Sequence, residues 1–282
     1  MKKLVSAAAM IAAITALTVS AYADTSVYVT ISNDEGKLVV DDRQTAVSDA
    51  DGDGALTIND ALIVAHDLYY SQEAKGGYEA VNSDYGLSIN KLWGVENGGS
   101  YGYYLNNASA WSLSDPVSDG DHLNAFIYTD LTAWSDTYCY FDQYDYTTSD
   151  GEVTLTLNAA SFDADWNPIT VPVEGADITV NGEKVGAVTD ADGKATLTLS
   201  GDGEYLISAV SDTQILVPPA SKVYVQTASG SSSAADVSAA EETVTAAADT
   251  KGSPDTGAAD VAVVAGAAIF AAGAVIVSRK RK

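Results

Sequence analysis

The sequence predicts a mainly β protein: a small α+β domain over residues 24–148, a β-sandwich over 149–226, a disordered stalk over 227–252 and one hydrophobic helix near the C-terminus. Three observations carry this. Short runs rich in Val, Tyr, Thr and Ile alternate with period two between clusters of Gly, Asn and Asp, the pattern of strands and turns. A helical apolar period appears at Ile58, Ala61, Leu62, Ala65 and Leu68, enough for about three turns. Residues 229–251 are mostly Ser, Ala, Thr, Asp and Glu without aromatics, and such a stretch cannot offset its ordering entropy by burial.

At the N-terminus, Lys2 and Lys3 precede an apolar stretch from Leu4 to Val19, and Ala21-Tyr22-Ala23 supplies a small-x-small cleavage pattern. Residues 1–23 are therefore expected to be a signal peptide, with the processed chain starting at Asp24. The formal charge is −25. That balance argues against nucleic acid and anionic membrane surfaces as partners, and for divalent cations or basic partners. Cys139 is the single cysteine, so no intrachain disulfide is available and a small buried strand residue is expected there.

The first domain opens with a hairpin, Val27 to Ile31 and then Lys37 to Val40 across Asn33-Asp34-Glu35-Gly36. A twelve-residue loop follows. Asp49, Asp51 and Asp53 occupy positions 1, 3 and 5, Gly54 makes the sharp turn at 6, and Ala55 offers its carbonyl at 7. Thr57 stands at 9 and Asp60 at 12. This spacing wraps oxygens around one point, as Ca²⁺ requires, so a calcium-binding loop and helix are expected over residues 49–70, with the ion in a structural role. No helix precedes the loop, and the unit resembles those of dockerins more than a paired EF-hand. A second loop at Asn82, Asp84 and Gly86 fails because Tyr85 stands where an oxygen is needed. His66 and His122 lack zinc spacing, and His66 is expected half-exposed on the helix.

From Trp93 to Tyr146 the chain is rich in aromatics, with strands expected at Leu87 to Leu92, Tyr101 to Leu105, Ala125 to Thr129 and Tyr138 to Phe141. Some of these rings must form core. Tyr101, Tyr103, Trp111 and Trp134, beside Gly, Ser, Asn and Asp, fit a solvent-facing platform on which Tyr103, Trp111 and Trp134 are the ligand-binding candidates, with core and rim packing as the alternative. Lys91-Leu92-Trp93-Gly94-Val95, Gly102-Tyr103-Tyr104-Leu105-Asn106-Asn107 and Asp119-Gly120-Asp121 resemble the small β-domain of the transcobalamin and intrinsic-factor family. In those vitamin carriers the domain caps a bound corrinoid, so the resemblance admits a corrinoid-like small ligand.

After Asp150-Gly151 the alternation continues through Val153, Leu155 and Leu157, Ile178 and Val180, Ala195, Leu197 and Leu199, and Tyr205, Ile207 and Ala209. Asn181-Gly182 and Asp192-Gly193 are hairpin turns between these runs. The segment around Gly186 to Ser208 resembles immunoglobulin-like or transthyretin-like modules of bacterial surface proteins.

Ser253-Pro254-Asp255-Thr256-Gly257 precedes an apolar run from Val261 to Val277, within a helix expected over 261–278, and the cations Arg279-Lys280-Arg281-Lys282. A helix of that length is at the low end of a transmembrane span. The whole resembles a Gram-positive cell-wall sorting signal, with Ser253 where that family usually has Leu. The resemblance implies sortase as a processing partner, cleavage between Thr256 and Gly257, and attachment to peptidoglycan at the outer surface. Neither a Gly-x-Ser-x-Gly elbow nor a Cys-His pairing signal is present. The expected function is a non-catalytic, calcium-stabilised binding or adhesion module for an external protein, glycan or small ligand; the alternatives are a wall spacer or a corrinoid-like receptor.

Overall fold

In the computed structural model, residues 25–71, 76–84 and 86–226 are described. They fall within one compact unit. The expected signal peptide, stalk and sorting motif lie outside them. The hydrophobic C-terminal helix requires correction as part of the fold: among the described residues no helix is long and apolar enough to cross a membrane, and residues 261–278 are not among those described.

The N-terminal part contains β1 (Thr25–Ser32), β2 (Leu38–Val47), α1 (Ile58–Tyr69), β3 (Glu79–Ser83), β4 (Gly86–Lys91), β5 (Tyr101–Leu105), β6 (Ala108–Ser109) and β7 (His122–Ile127). Its main sheet runs β2-β1-β7-β5-β6, with β1 and β7 parallel, while β3 and β4 pair as a separate hairpin. Val27, Val29 and Ile31 of β1 share a core with Ile58, Ala61, Leu62 and Ala65 of α1, so the apolar stripe of the helix is what covers the sheet. Thr57 caps α1 and forms a capping box with Asp60, satisfying amides that the first turn would otherwise leave unpaired.

His66 is buried, not half-exposed. Its Nδ1 lies 2.7 Å from the Leu62 carbonyl and its Nε2 accepts the Trp93 amide at 3.1 Å. These partners assign the neutral Nδ1–H tautomer. Burial lowers its pKa to about 4, against the opposing effects of the Leu62 carbonyl and Asp67. The ring ties the helix to the Trp93 turn, where Tyr70 and Tyr78 also contact it.

The remaining strands are β8 (Thr137–Phe141), β9 (Asp145–Thr148), β10 (Glu152–Phe162), β11 (Pro168–Pro172), β12 (Asp177–Val180), β13 (Glu183–Val188), β14 (Lys194–Thr198), β15 (Gly203–Val210), β16 (Leu216–Val217) and β17 (Ser221–Val225). One sheet runs β11-β10-β8-β16, with β14 also on β10; the other runs β13-β12-β15-β17-β9. Leu155 and Leu157 of β10 meet Ile178, Ile207 and Val223 in a shared core, the sandwich arrangement that the alternation predicts. Asn181 and Gly182 both have positive φ, +51° and +87°, at the β12–β13 turn, as a type I′ hairpin demands.

The strand expected in the first domain at Tyr138 to Phe141 belongs instead with the sandwich, as does β9, where no strand was expected. β8 pairs with β10 and β16, and β9 pairs with β17. The change between sheets therefore falls between Ile127 and Thr137. The local pattern at Tyr138 to Phe141 specifies a strand but not its partners, which come from residues far along the chain.

A third, small core joins the two parts: Phe126, Tyr138 and Val217, flanked by Tyr104, Tyr128 and Tyr140. Tyr104 and Tyr138 stack with centroids 3.7 Å apart. Beside them His122 is stacked between Tyr28, at 4.6 Å, and Tyr144, at 3.4 Å.

Candidate functional site

The acidic loop gathers three of the expected ligands. Ligand oxygens of Asp49, Asp51 and Asp53 all lie within 4.8 Å of one another. The loop holds them there by accepting its own amides: Gly52 and Gly54 donate to Asp49, Asp53 to Asp51, and Ala55 to Asp53. Gly54 has φ +90° at the turn, a conformation that suits glycine. Three converging carboxylates can hold a cation, which would offset their mutual repulsion.

Asp60 is placed differently. It is fully buried; one carboxylate oxygen accepts the Ala50 amide at 2.7 Å, and the other accepts the Thr57 amide and hydroxyl at 2.9 and 2.7 Å. Thr57 and Asp60 thus bond each other as a helix cap, and the carboxylate cluster consists of the three loop aspartates.

The three candidate platform residues do not converge. Tyr103 is half-buried and packs on the N-terminal core. Trp111 is 91% exposed and Trp134 61% exposed, but they line different clefts. Strand alternation accounts for Tyr103: Tyr101, Tyr103 and Leu105 pack toward one core, and Tyr104 joins the aromatic core at the junction.

Trp111 lines a cleft of about 640 Å³ formed by both halves of the unit. Its other wall is the β10–β11 hairpin, which contributes Phe162, Trp166 and Ile169. Trp166 is 81% exposed and has φ +63°, an unusual backbone state for a bulky residue. Asp163 fixes that turn: its carboxylate accepts the Asp165 and Asn167 amides, and its carbonyl accepts the Trp166 amide. Hydrogen bonds from Asn167 hold the Asp163 carboxyl below its usual range. Trp166 was not among the sequence candidates, although a Trp inside the polar run Asp163-Ala164-Asp165-Trp166-Asn167-Pro168 is a local sign of an exposed ring.

Trp134 lines a second cleft of about 590 Å³ with Asp136, Glu174 and the other side of the hairpin. It too has positive φ, +50°. Hydrogen bonds from Ser135 and the Ala133 and Thr132 amides lower the Asp130 carboxyl to about 2, fixing the turn that presents the ring.

The junction also contains a polar group with no clear sequence signal. The pairing of β1 with β2 passes from Val29↔Arg43 to Ile31↔Val40, so β2 carries an extra residue. That bulge puts Asp42 at φ +48°, buried. Its carboxylate lies 2.9 Å from His122 Nδ1 and 3.7 Å from Lys222 Nζ, and Lys222 donates to its carbonyl at 2.7 Å. The bulge thereby links β2, β7 and β17.

No protein-family model and no curated protein sequence matches the chain. Among solved structures, the D0-D1 domain of intimin is weakly similar, at 14% identity and TM-score 0.25, with 53% of this chain and 80% of that one covered. The N-terminal Ig1-2 module of the Drosophila receptor protein tyrosine phosphatase DLAR is similar at 17% identity and TM-score 0.21, covering 54% and 76%. Scores this low establish no shared fold.

Proposed function

We propose that this chain is a non-catalytic binding module displayed outside a Gram-positive cell, and that it engages its external ligand through the cleft between the N-terminal part and the sandwich. The observation that carries this reading is the pair of exposed indoles, Trp111 and Trp166, which line one concavity from two different parts of the fold. Burying large apolar rings in the core is the ordinary outcome of folding. Rings held outward by fixed turns around a cavity instead favour contact with something else.

Calcium is the cation best suited to Asp49, Asp51 and Asp53, because hard oxygen ligands at this spacing favour it. Its role is to stabilise the loop that enters α1. Display at the wall is supported by Ser253-Pro254-Asp255-Thr256-Gly257, with sortase joining Thr256 to peptidoglycan. The test is retention of the full chain, in calcium, on immobilised glycans, mucin and matrix proteins. Specific retention that Trp111→Ala and Trp166→Ala abolish without changing the melting temperature is expected. Retention that both variants preserve would place binding elsewhere, and no retention on any surface would favour a spacer.

A further inference from the structure

We infer that the occupant of the Trp111–Trp166 cleft is a neutral carbohydrate, an inference that rests on the binding role proposed above. Charge is the first argument. None of the described residues lining this cleft is Asp, Glu, Lys, Arg or His, in a chain of formal charge −25. An anionic glycan would meet the repulsive field of the whole molecule. A cationic ligand would find carboxylates all over the surface but no partner within the cleft.

The lining chemistry is the second argument. Ala108, Ser109 and Ala110 on one wall and Ala160 and Ser161 on the other are small, leaving room between the aromatic groups. Hydroxyls and an amide complete the lining: Ser109, Ser161, Thr170, Tyr140 and Asn107. Such groups both donate and accept, which matches a sugar hydroxyl and leaves no buried charge to be compensated. The apolar C–H face of a pyranose stacks on an indole, and the two indoles lining this cleft provide two such platforms.

The third argument is that the cleft is largely formed in advance. Tyr140 Oη and Thr170 Oγ1 lie 2.9 Å apart, tying β8 to β11. Asn107 donates to Tyr144 Oη at 3.0 Å and accepts from Tyr138 Oη at 2.9 Å, tying the N-terminal wall to the sandwich. The Asp163 turn fixes the Trp166 backbone. Fixed walls reduce the ordering cost that weakens binding to a flexible ligand. The neighbouring cleft at Trp134 contains Asp136 and Glu174 and lacks this neutrality.

The experiment uses the full chain on an array with three arms: neutral oligosaccharides, sialylated or sulfated oligosaccharides, and peptides with matrix proteins. The expected result is binding in the neutral arm, with affinity reduced about tenfold or more in Trp111→Ala and in Trp166→Ala. Trp134→Ala should leave it unchanged, and all three variants should keep the parent melting temperature. A Trp166→Phe variant should retain part of the affinity, because an aromatic face remains. Binding only in the anionic or peptide arm, lost in the same two variants, would overturn the carbohydrate assignment while leaving the cleft as the binding site. Neutral-arm binding that Trp111→Ala and Trp166→Ala do not alter would overturn the assignment of this cleft. Silence in every arm would overturn both.

Discussion

Asp60 and His66 show how differently single side chains can be used from what their spacing suggests. Position 12 of a calcium loop places Asp60 as a ligand, yet its carboxylate accepts the Ala50, Asp51 and Thr57 amides and the Thr57 hydroxyl. Asp60→Ala is therefore expected to lower stability by about 2–4 kcal/mol, in chelator as well as in calcium, by denaturant melts. A loss seen only in calcium would return Asp60 to the ion. For His66 the sign follows from its pKa of about 4 when folded against 6.5 for the free side chain. Between those values the unfolded chain binds the proton and the folded chain does not. This contribution to stability is therefore complete above pH 6.5 and lost as the pH falls toward 4, on the order of 3 kcal/mol in all. His66→Gln should flatten that part of the stability profile. At Gly102 the constraint is steric: a Cβ there would run into the Phe126 ring, and Gly102→Ala should cost about 1–3 kcal/mol by overpacking.

Among the elements, those determined by local chemistry were legible in the sequence. The period of α1 and the Asn181-Gly182 turn are such features. The acidic loop was legible as well, and the structure gathers its first three aspartates. The partners of β8 and β9 were not, because alternation at Tyr138 to Phe141 fits either sheet. Nor was the Asp42 bulge, whose meaning depends on His122 and Lys222 from distant strands. Trp166 escaped because the aromatic-rich window ended before the β10–β11 hairpin. For the loop, adding calcium to chelated protein should raise the melting temperature, and Asp51→Ala should abolish the rise; equal temperatures throughout would count against a folded cation site.

At the scale of the molecule, the junction makes the cleft a fixed feature. Tyr104 on Tyr138, and His122 between Tyr28 and Tyr144, bury aromatic surface between the N-terminal part and the sandwich. Stacked pairs contribute about 0.5–1.5 kcal/mol each beyond area burial. One cooperative calorimetric transition is therefore expected for both halves, and Tyr138→Ala should separate it into two. The proposed wall attachment makes a different prediction: if Ser253-Pro254-Asp255-Thr256-Gly257 is a sorting signal, material released from the wall should end at Thr256 by mass spectrometry, and Thr256→Ala should prevent attachment.

Ligand entry between Trp111 and Trp166 would change the surroundings of both rings, and the four indoles of this chain are separate reporters of it. Indole N–H resonances should be followed while the full chain is titrated with a neutral oligosaccharide series. Movement of Trp111 and Trp166 along one saturation curve, with the His66 neighbour Trp93 stationary, is the predicted result. Four unmoved resonances, or movement of Trp134 alone, would contradict it.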